Sequence, residues 1–334
     1  ETKSSIRLKC GLQVDLRVLE EESYGAALHY FTGSKAHNVA IRERAKEMGL
    51  KVSEYGVFRA KDEKRLSGAE EEEVFKAVGL PLIPPELRED RGEIQAAEKG
   101  KLPRLIELSQ IRGDLQMHTT ASDGKNSILE MAHKAKEMGY AYIAITDHSK
   151  AVRVAGGMDE KQLAKHLKEI EKANSQISGV RILKGVEVDI LADGTLDLKD
   201  DILEECEVVL ASVHSRFNME EGEMTRRVIK AIQNPNVKIL AHPTGRLILE
   251  REPFKINLKE VIQAAIDHGV IMEINAYPDR LDLKDGDARM ARDMGARLAI
   301  DTDAHSTLQL ELMKFGVFTA RRGWVEAGDV INTL

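Results

Sequence analysis

Residues 142–149, YIAITDHS, form an apolar run of strand character that stops on an acid and an imidazole, Asp147 and His148. The pattern returns along the chain. VRILKGVEVD (180–189) ends in Glu187, VVLASVHS (208–215) in His214, VKILAHP (237–243) in His242, and ARLAIDTDAHS (296–306) in Asp303 and His305. Upstream, GDLQMHTTASDG (113–124) delivers His118 and Asp123 after a shorter strand. Ligand-type side chains arriving at the C-terminal ends of successive strands are the layout of a barrel enzyme whose chemistry sits on its top face. Imidazoles with a few carboxylates suit zinc, manganese or iron, whereas magnesium and calcium favour all-oxygen shells. A multinuclear metal site is expected.

Working outward, strands read at 113–118, 141–146, 181–188, 207–213, 237–241, 270–275 and 297–302. Amphipathic helices lie between them at 126–138, 159–177, 220–233, 257–268 and 286–294. A doubly wound sheet would gather its ligands at one switch point. Here they come from strand end after strand end and must converge, so the fold class expected is α/β, a seven-stranded (β/α) barrel. His37, His133, His166 and His268 fall on helical runs and are assigned to packing or surface. Five of the ten histidines, His118, His148, His214, His242 and His305, close five separate strands. Burying so many imidazoles costs several kcal/mol each, on the order of the price of an unpaired charge, so a shared cation is the simpler account. Glu187 is suited to bridge two ions, with Asp123 and Asp303 completing the set.

The 334 residues allow two domains, and 42% apolar with 31% charged residues is ordinary for a globular protein. No apolar run approaches a membrane span and the start lacks a signal-peptide core. Two cysteines, Cys10 and Cys206, suggest a reducing cytoplasm rather than a disulfide framework. A net charge of −7 argues mildly against a broad nucleic-acid surface, although metal-bound carboxylates account for part of it. The chain opens on Glu1, inside what reads as a strand, and is expected to be a fragment of a longer protein. SIRLKCGLQVDLRV (5–18) reads as a hairpin, 23–31 and 36–48 as helices broken at Gly33-Ser34, and 70–78 as a short acidic-started helix. GLPLIPPELRED then stops regular structure. The expected division is a first domain over 1–95, a linker over 96–110 and the barrel over 111–334.

The blocks GDLQMHTTASDG, AITDHS, GVEVDI, ASVHSRF, LAHPTGR and DTDAHS resemble, in order and identity, the motifs of the polymerase-and-histidinol-phosphatase (PHP) domain. The resemblance implies a distorted barrel with two to three divalent metals, manganese, zinc or iron, that hydrolyses phosphoesters. It implies His118, Asp123, His148, Glu187, His214, His242, Asp303 and His305 as ligands. The family opens with His-x-His, and this chain has Gln116 at the first position, a weaker ligand for soft divalent metals. Asp147 and Asp303 are placed to orient an imidazole or take a proton. Arg153, Arg216 and, more weakly, Arg246 are candidates for holding a substrate phosphate.

VDLRV, YFTGSKAHN and IRERA resemble the palm end and thumb of family X DNA polymerases, the group that includes the β-type repair polymerase. That resemblance implies a small α+β module in front of the barrel. It implies Asp15 as a palm carboxylate of a two-magnesium site, Tyr30, Phe31 and Gly33 beside the nucleotide sugar, and Asn38 and Arg42 at the base and template minor groove. No Asp-x-Asp segment precedes Asp15, so the chain as given is expected not to polymerise. The function implied is a metal-dependent 3′→5′ exonuclease and end-processing activity in base excision repair. Its partners would be DNA 3′ ends, gapped or single-stranded, and the missing N-terminal polymerase domains. A histidinol-phosphatase-like small-molecule phosphatase and a catalytically silent, metal-stabilised scaffold stand as alternatives.

Overall fold

The computed structural model describes residues 3–334, in two compact units, Glu1–Leu102 and Pro103–Leu334. The strand character read at Glu1 lies outside the described residues. In the first unit β1 (Lys3–Arg7) and β2 (Gln13–Arg17) pair antiparallel, from Lys3↔Arg17 to Arg7↔Gln13. Helices α1 (Tyr24–Thr32) and α2 (Lys35–Glu47) meet at Gly33-Ser34, where the Ser34 hydroxyl accepts from the His37 N–H at 3.1 Å and satisfies a donor that the helix start leaves free. A three-stranded antiparallel sheet follows, β3 (Leu50–Ser53), β4 (Gly56–Arg59) and β5 (Arg65–Ser67), in a stretch the sequence reading leaves unassigned. Helix α3 (Glu71–Ala77) starts on its acidic run as expected. The unit continues past residue 95 because α4 (Glu93–Glu98) packs into it. Ile94 and Ala97 are buried, and the buried Glu93 carboxylate lies 2.6 Å from His37 Nδ1 and accepts from the N–H groups of Asp90 and Arg91.

The second unit takes in the segment expected as a linker: Leu105 bridges to Glu326, and Ile106 is fully buried. Its strands are β6 (Gly113–Asp114), β7 (Tyr142–Ile145), β8 (Arg181–Asp189), β9 (Val208–Ser212), β10 (Ile239–Leu240), β11 (Ile271–Asn275) and β12 (Leu298–Asp301). They pair in sequence order, all parallel, as one seven-stranded sheet. Helices α5 (Ile128–Glu137), α6 (Glu160–Gln176), α7 (Asp200–Leu203), α8 (Glu221–Ile232), α9 (Leu258–His268), α10 (Asp285–Met294) and α11 (Met313–Arg322) alternate with or follow the strands. Among the described residues, no helix is long and apolar enough to cross a membrane.

Strand period sorts the side chains into two cores. On β9, Val209 and Ala211 join the large cluster under the helices, while Val208 and Leu210 join a small inner cluster with Leu115, Ala144, Ile239, Ala241 and Ala299. On β8, Ile182, Val186 and Val188 face the helices, which leaves Gly185, Glu187 and Asp189 on the inner side. Gly185 is required there, because a Cβ would stand 2.8 Å from the Ile145 carbonyl oxygen.

The barrel is nearly closed, and side chains close it. β6 and β12 share no ladder; beyond them a single bridge joins Met117 to Ala304. Asp114 accepts from Thr302 N–H at 3.1 Å and from the Thr302 hydroxyl at 2.5 Å, and Asp301 accepts from Leu115 N–H at 2.8 Å. Asn332 adds bonds to both strands, donating to Gly113 O at 3.1 Å and accepting from Ile300 N–H at 3.1 Å. This substitution of carboxylates for backbone is why the strand expected over 113–118 pairs regularly only at its first two residues.

The β1–β2 hairpin has no such support. Ile6, Leu12, Leu16 and Val18 are all more than half exposed, and its ladder is open to water on both sides. Amides of residues 3–17 should exchange far faster than those of β8 and β9 in a hydrogen-exchange experiment. Comparable protection would show that the hairpin is covered in solution.

Candidate metal centre

The inner face of the strand ends gathers the predicted ligands into one cluster. Its two halves share His148. His118, Asp123, His148 and His305 form one group of ligand atoms, and His148, Glu187 and His214 form the other. Glu187 is buried and straddles both. Its Oε2 lies 3.1 Å from His148 Nδ1 and 3.5 Å from His118 Nε2, while its Oε1 lies 2.9 Å from His242 Nε2 and 3.4 Å from His214 Nε2. Asp303 Oδ1 stands 3.1 Å from His118 Nε2, and Asp123 contacts His305 at 3.4 Å and His148 at 3.7 Å. The His118 ring is sandwiched, 4.3 Å from His148 on one side and 4.3 Å from His305 on the other.

These contacts fit metal coordination better than mutual hydrogen bonding. His148 Nδ1 and Glu187 Oε2 are close, yet neither has a hydrogen-bond partner of acceptable geometry; both are aimed at shared space. Buried Gln116 has no partner for either amide atom, a state that native interiors rarely tolerate. A divalent cation would satisfy these atoms together, and nitrogen-rich ligation suits manganese, zinc or iron. The backbone is bent to the same purpose: His242 (φ +29) and Asp303 (φ +53) take left-handed conformations that cost on the order of 1–3 kcal/mol each.

Electrostatics follow from this crowding. Burial pulls the His148 imidazole down, but the charge of Glu187, with Asp123 and Asp303, outweighs it and raises its pKa to about 9. Burial likewise opposes the charge on His305, and Asp123 and Asp303 raise it to about 9. His242 goes the other way, to about 4, because burial and then Arg280 disfavour its charge. Burial would raise Glu187, yet the imidazoles around it, His148 foremost, hold it well below the usual carboxylate range.

Several expectations change. Asp147 does not orient an imidazole ligand. Its carboxylate accepts from Thr119 N–H, the Thr119 hydroxyl and the Ser122 hydroxyl at 2.6–2.7 Å, and so pins the loop that presents Asp123. His166, assigned to packing, is buried 3.0 Å from Asp147 and supports that loop from behind. Arg153 is exposed on a short turn whose Val152, Val154 and Ala155 line the cavity, while Arg153 does not. Arg246 is occupied by the backbone carbonyls of Arg280 and Leu281. Arg216 lines a neighbouring groove, in a left-handed conformation. The cation in the cavity is Arg280, whose Nε is 3.5 Å from Asp303 Oδ2. Sequence reading missed it because β11 carries no histidine; the signal was the run NAYPDR (275–280) leaving that strand. Asp189 was missed too, although it sits two residues beyond Glu187 on the same strand face. It accepts from His214 N–H at 3.0 Å and faces His214 Nδ1 at 3.2 Å.

In the first unit, Asp15 lies on the exposed hairpin, paired with Lys3 at 3.0 Å. Asn38 donates to Tyr30 O at 2.9 Å and Gly33 O at 3.2 Å, so its amide holds the Tyr30–Gly33 turn. Arg42 Nε donates to Asn38 O at 3.3 Å. Phe31 is half exposed against Tyr30, with the Arg17 guanidinium 4.8 Å from its ring centre.

Comparison with known proteins bears on both units. The PHP domain family matches residues 114–276, and the DNA polymerase beta thumb family matches residues 27–89. DNA polymerase/3′-5′ exonuclease PolX of Bacillus subtilis is 45% identical over 334 residues, covering 99% of this chain and 58% of that protein. The chain therefore spans little more than half the length of that relative. A probable phosphatase of Caldanaerobacter subterraneus is 34% identical over 203 residues, covering 58% of this chain and 75% of its own. The solved structure of histidinol phosphate phosphatase from Lactococcus lactis, complexed with zinc, L-histidinol and phosphate, aligns with a TM-score of 0.48 at 17% identity. That alignment covers 63% of this chain and 93% of the other.

Two measurements check the centre. In the metal-free protein His148 and His305 hold protons up to about pH 9. Their contribution to stability is complete below their ordinary pKa of roughly 6.5 and is lost as pH rises through the folded values. The melting temperature of metal-free protein should therefore fall between about pH 6.5 and 9, while bound cations replace the protons and hold it steady. A flat metal-free profile would contradict the arrangement. Gln116→His should raise metal occupancy, read by elemental analysis, with little change in melting temperature; unchanged stoichiometry would mean that the amide already suffices.

Proposed function

The chain belongs to the PHP domain family and carries a thumb of the DNA polymerase beta type in front of that domain, and on this footing we propose that it is the 3′→5′ exonuclease portion of a family X DNA repair polymerase. The observation that carries the reading is Glu187, whose two carboxylate oxygens face two separate sets of imidazoles. That is the arrangement of a carboxylate bridging two cations. The thumb supports DNA rather than a free metabolite as substrate, because a metabolite phosphatase has no use for a DNA-binding module. Its DNA would be a gapped or single-stranded 3′ end, and its setting the cytoplasm, beside the polymerase domains of the same longer protein.

His118, Asp123, His148, Glu187, His214, His242, Asp303 and His305 would hold two to three ions, and the unpartnered amide of Gln116 would add a weaker donor. When bound, such ions lower the pKa of a coordinated water toward neutrality and neutralise phosphoryl oxygens. The protein's own groups do the rest. His214, His305 and Asp123, with side chains 20%, 28% and 35% exposed, form the open side on which phosphate and water arrive. Arg280, tethered to Asp303, presents a guanidinium to a non-bridging phosphate oxygen. Asp189 fixes the ring of His214, and Asp147 fixes the loop of Asp123, so that neither moves as charge develops.

Glu187→Gln keeps the volume and removes the bridging charge. Manganese-dependent degradation of a 5′-labelled single strand should fall by about 100-fold or more, with the fold retained by circular dichroism. A wild-type protein inert on DNA ends but strongly stabilised by metal would instead favour the scaffold reading.

A further inference from the structure

The metal cavity is too small for the substrate it serves. At about 240 Å³ it falls below the roughly 300–1,000 Å³ of sites that enclose a whole small ligand. A phosphoryl group enters; the nucleosides on either side of it must lie outside. Next along the barrel mouth, past the ends of β9 and β10, runs a groove of about 1040 Å³ lined by Arg216, Phe217, Met219, Arg251, Phe254 and Lys255. It begins two residues beyond His214, and Arg251 lies close enough to Arg280 to feel its charge.

One wall of this groove is a stack. The Phe217 and Phe254 rings are 20° from parallel with centres 6.4 Å apart, and the Arg251 guanidinium lies 3.9 Å from the Phe217 ring centre. Arg251 Nε donates to Gly245 O at 2.9 Å, which fixes the guanidinium over the ring. Gly245 makes the stack possible: it has φ +62, and a Cβ there would stand 2.5 Å from the Phe254 ring. Arg251 is half-buried and makes no ion pair among the described residues. Glu223 and Glu252 share the lining, so attraction for phosphate alone does not account for the groove. A planar cation held on an aromatic ring is a surface on which nucleobases stack.

We propose that this groove is the base-binding subsite of the nuclease, in which the base adjoining the scissile phosphodiester of a single-stranded DNA end stacks on the Arg251–Phe217 platform and so sets the phosphodiester over the metal cluster. Arg216, exposed at the groove entrance, contacts a flanking phosphate. Stacking tolerates every base, so the subsite reads single-strandedness rather than sequence; a base paired within a duplex is not free to lie on the platform. The inference rests on the phosphodiesterase reading above.

Phe217→Leu and Arg251→Met keep bulk and remove the planar faces. With manganese, each should raise KM for a short 5′-labelled single strand on the order of tenfold. Their kcat, and their turnover of bis(p-nitrophenyl) phosphate, which has no base, should stay within about twofold of the parent. Wild-type protein should suffer the same loss on a strand whose penultimate nucleotide is abasic, and neither variant should lose more on that strand. A KM on intact DNA unchanged in both folded variants overturns the subsite and leaves the nuclease standing. Wild-type protein that hydrolyses the small ester but no oligonucleotide overturns the nuclease reading, and the subsite with it.

Discussion

Two buried carboxylates, Asp114 and Asp301, do work that backbone does elsewhere in the sheet. Between β6 and β12 they accept from main-chain N–H groups across the gap, and Asn332 completes the join. The inner side of the barrel makes these acids costly. Burial raises Asp114 to about 7, with the charge of Asp303 adding to the shift, and drives Asp301 well above the carboxylate range, with the charge of Asp114 adding to it. A regular ladder would avoid that penalty, but it would also draw the two strands into parallel register to their ends. With side chains as the fastening, the chain beyond Asp114 and beyond Asp301 is free to bend, and the bend brings His118 within 3.1 Å of Asp303. The metal centre depends on this seam.

The same economy recurs around the site, where groups one step removed from the ligands set the ligands' positions. Asp147 holds a loop, Asp189 holds a ring, and Arg246 holds the carbonyls of the turn that carries Arg280. None of the three needs to reach substrate. Each removes freedom from a candidate ligand or from the turn of Arg280, and a centre built from left-handed backbone at His242 and Asp303 needs that restraint.

What could be read in the sequence was whatever repeats with the strand. An inner-face residue at a strand end is announced by a period of two and a change from apolar to polar, so the candidate ligands at 118, 148, 187, 214, 242, 303 and 305 stood out together. Asp123 was read from the polar loop after the first barrel strand, and Gln116 came with the family motif. Arg280 was hidden because it belongs to a turn five residues past β11, where no period constrains its direction. His166 was hidden for the opposite reason: it sits on α6 with ordinary helical spacing, and its contact with Asp147 is purely tertiary. The first unit ran past its expected boundary because α4 packs into it, burying Ala97 and anchored at its start by Glu93 against His37, 56 residues away, and no local signal reports such a pair.

The seam also has a meaning in time. A polypeptide emerges from the ribosome in order, and the contact of His118 with Asp303 spans 185 positions. While that interval is being made, the growing chain displays imidazoles that can seize a metal singly and in the wrong geometry, with no centre yet to compete for it. Only when β12 docks on β6, with Asn332 laid across them, do the scattered ligands become a vessel of defined capacity. The candidate centre is thus withheld until nearly the whole described chain has been made.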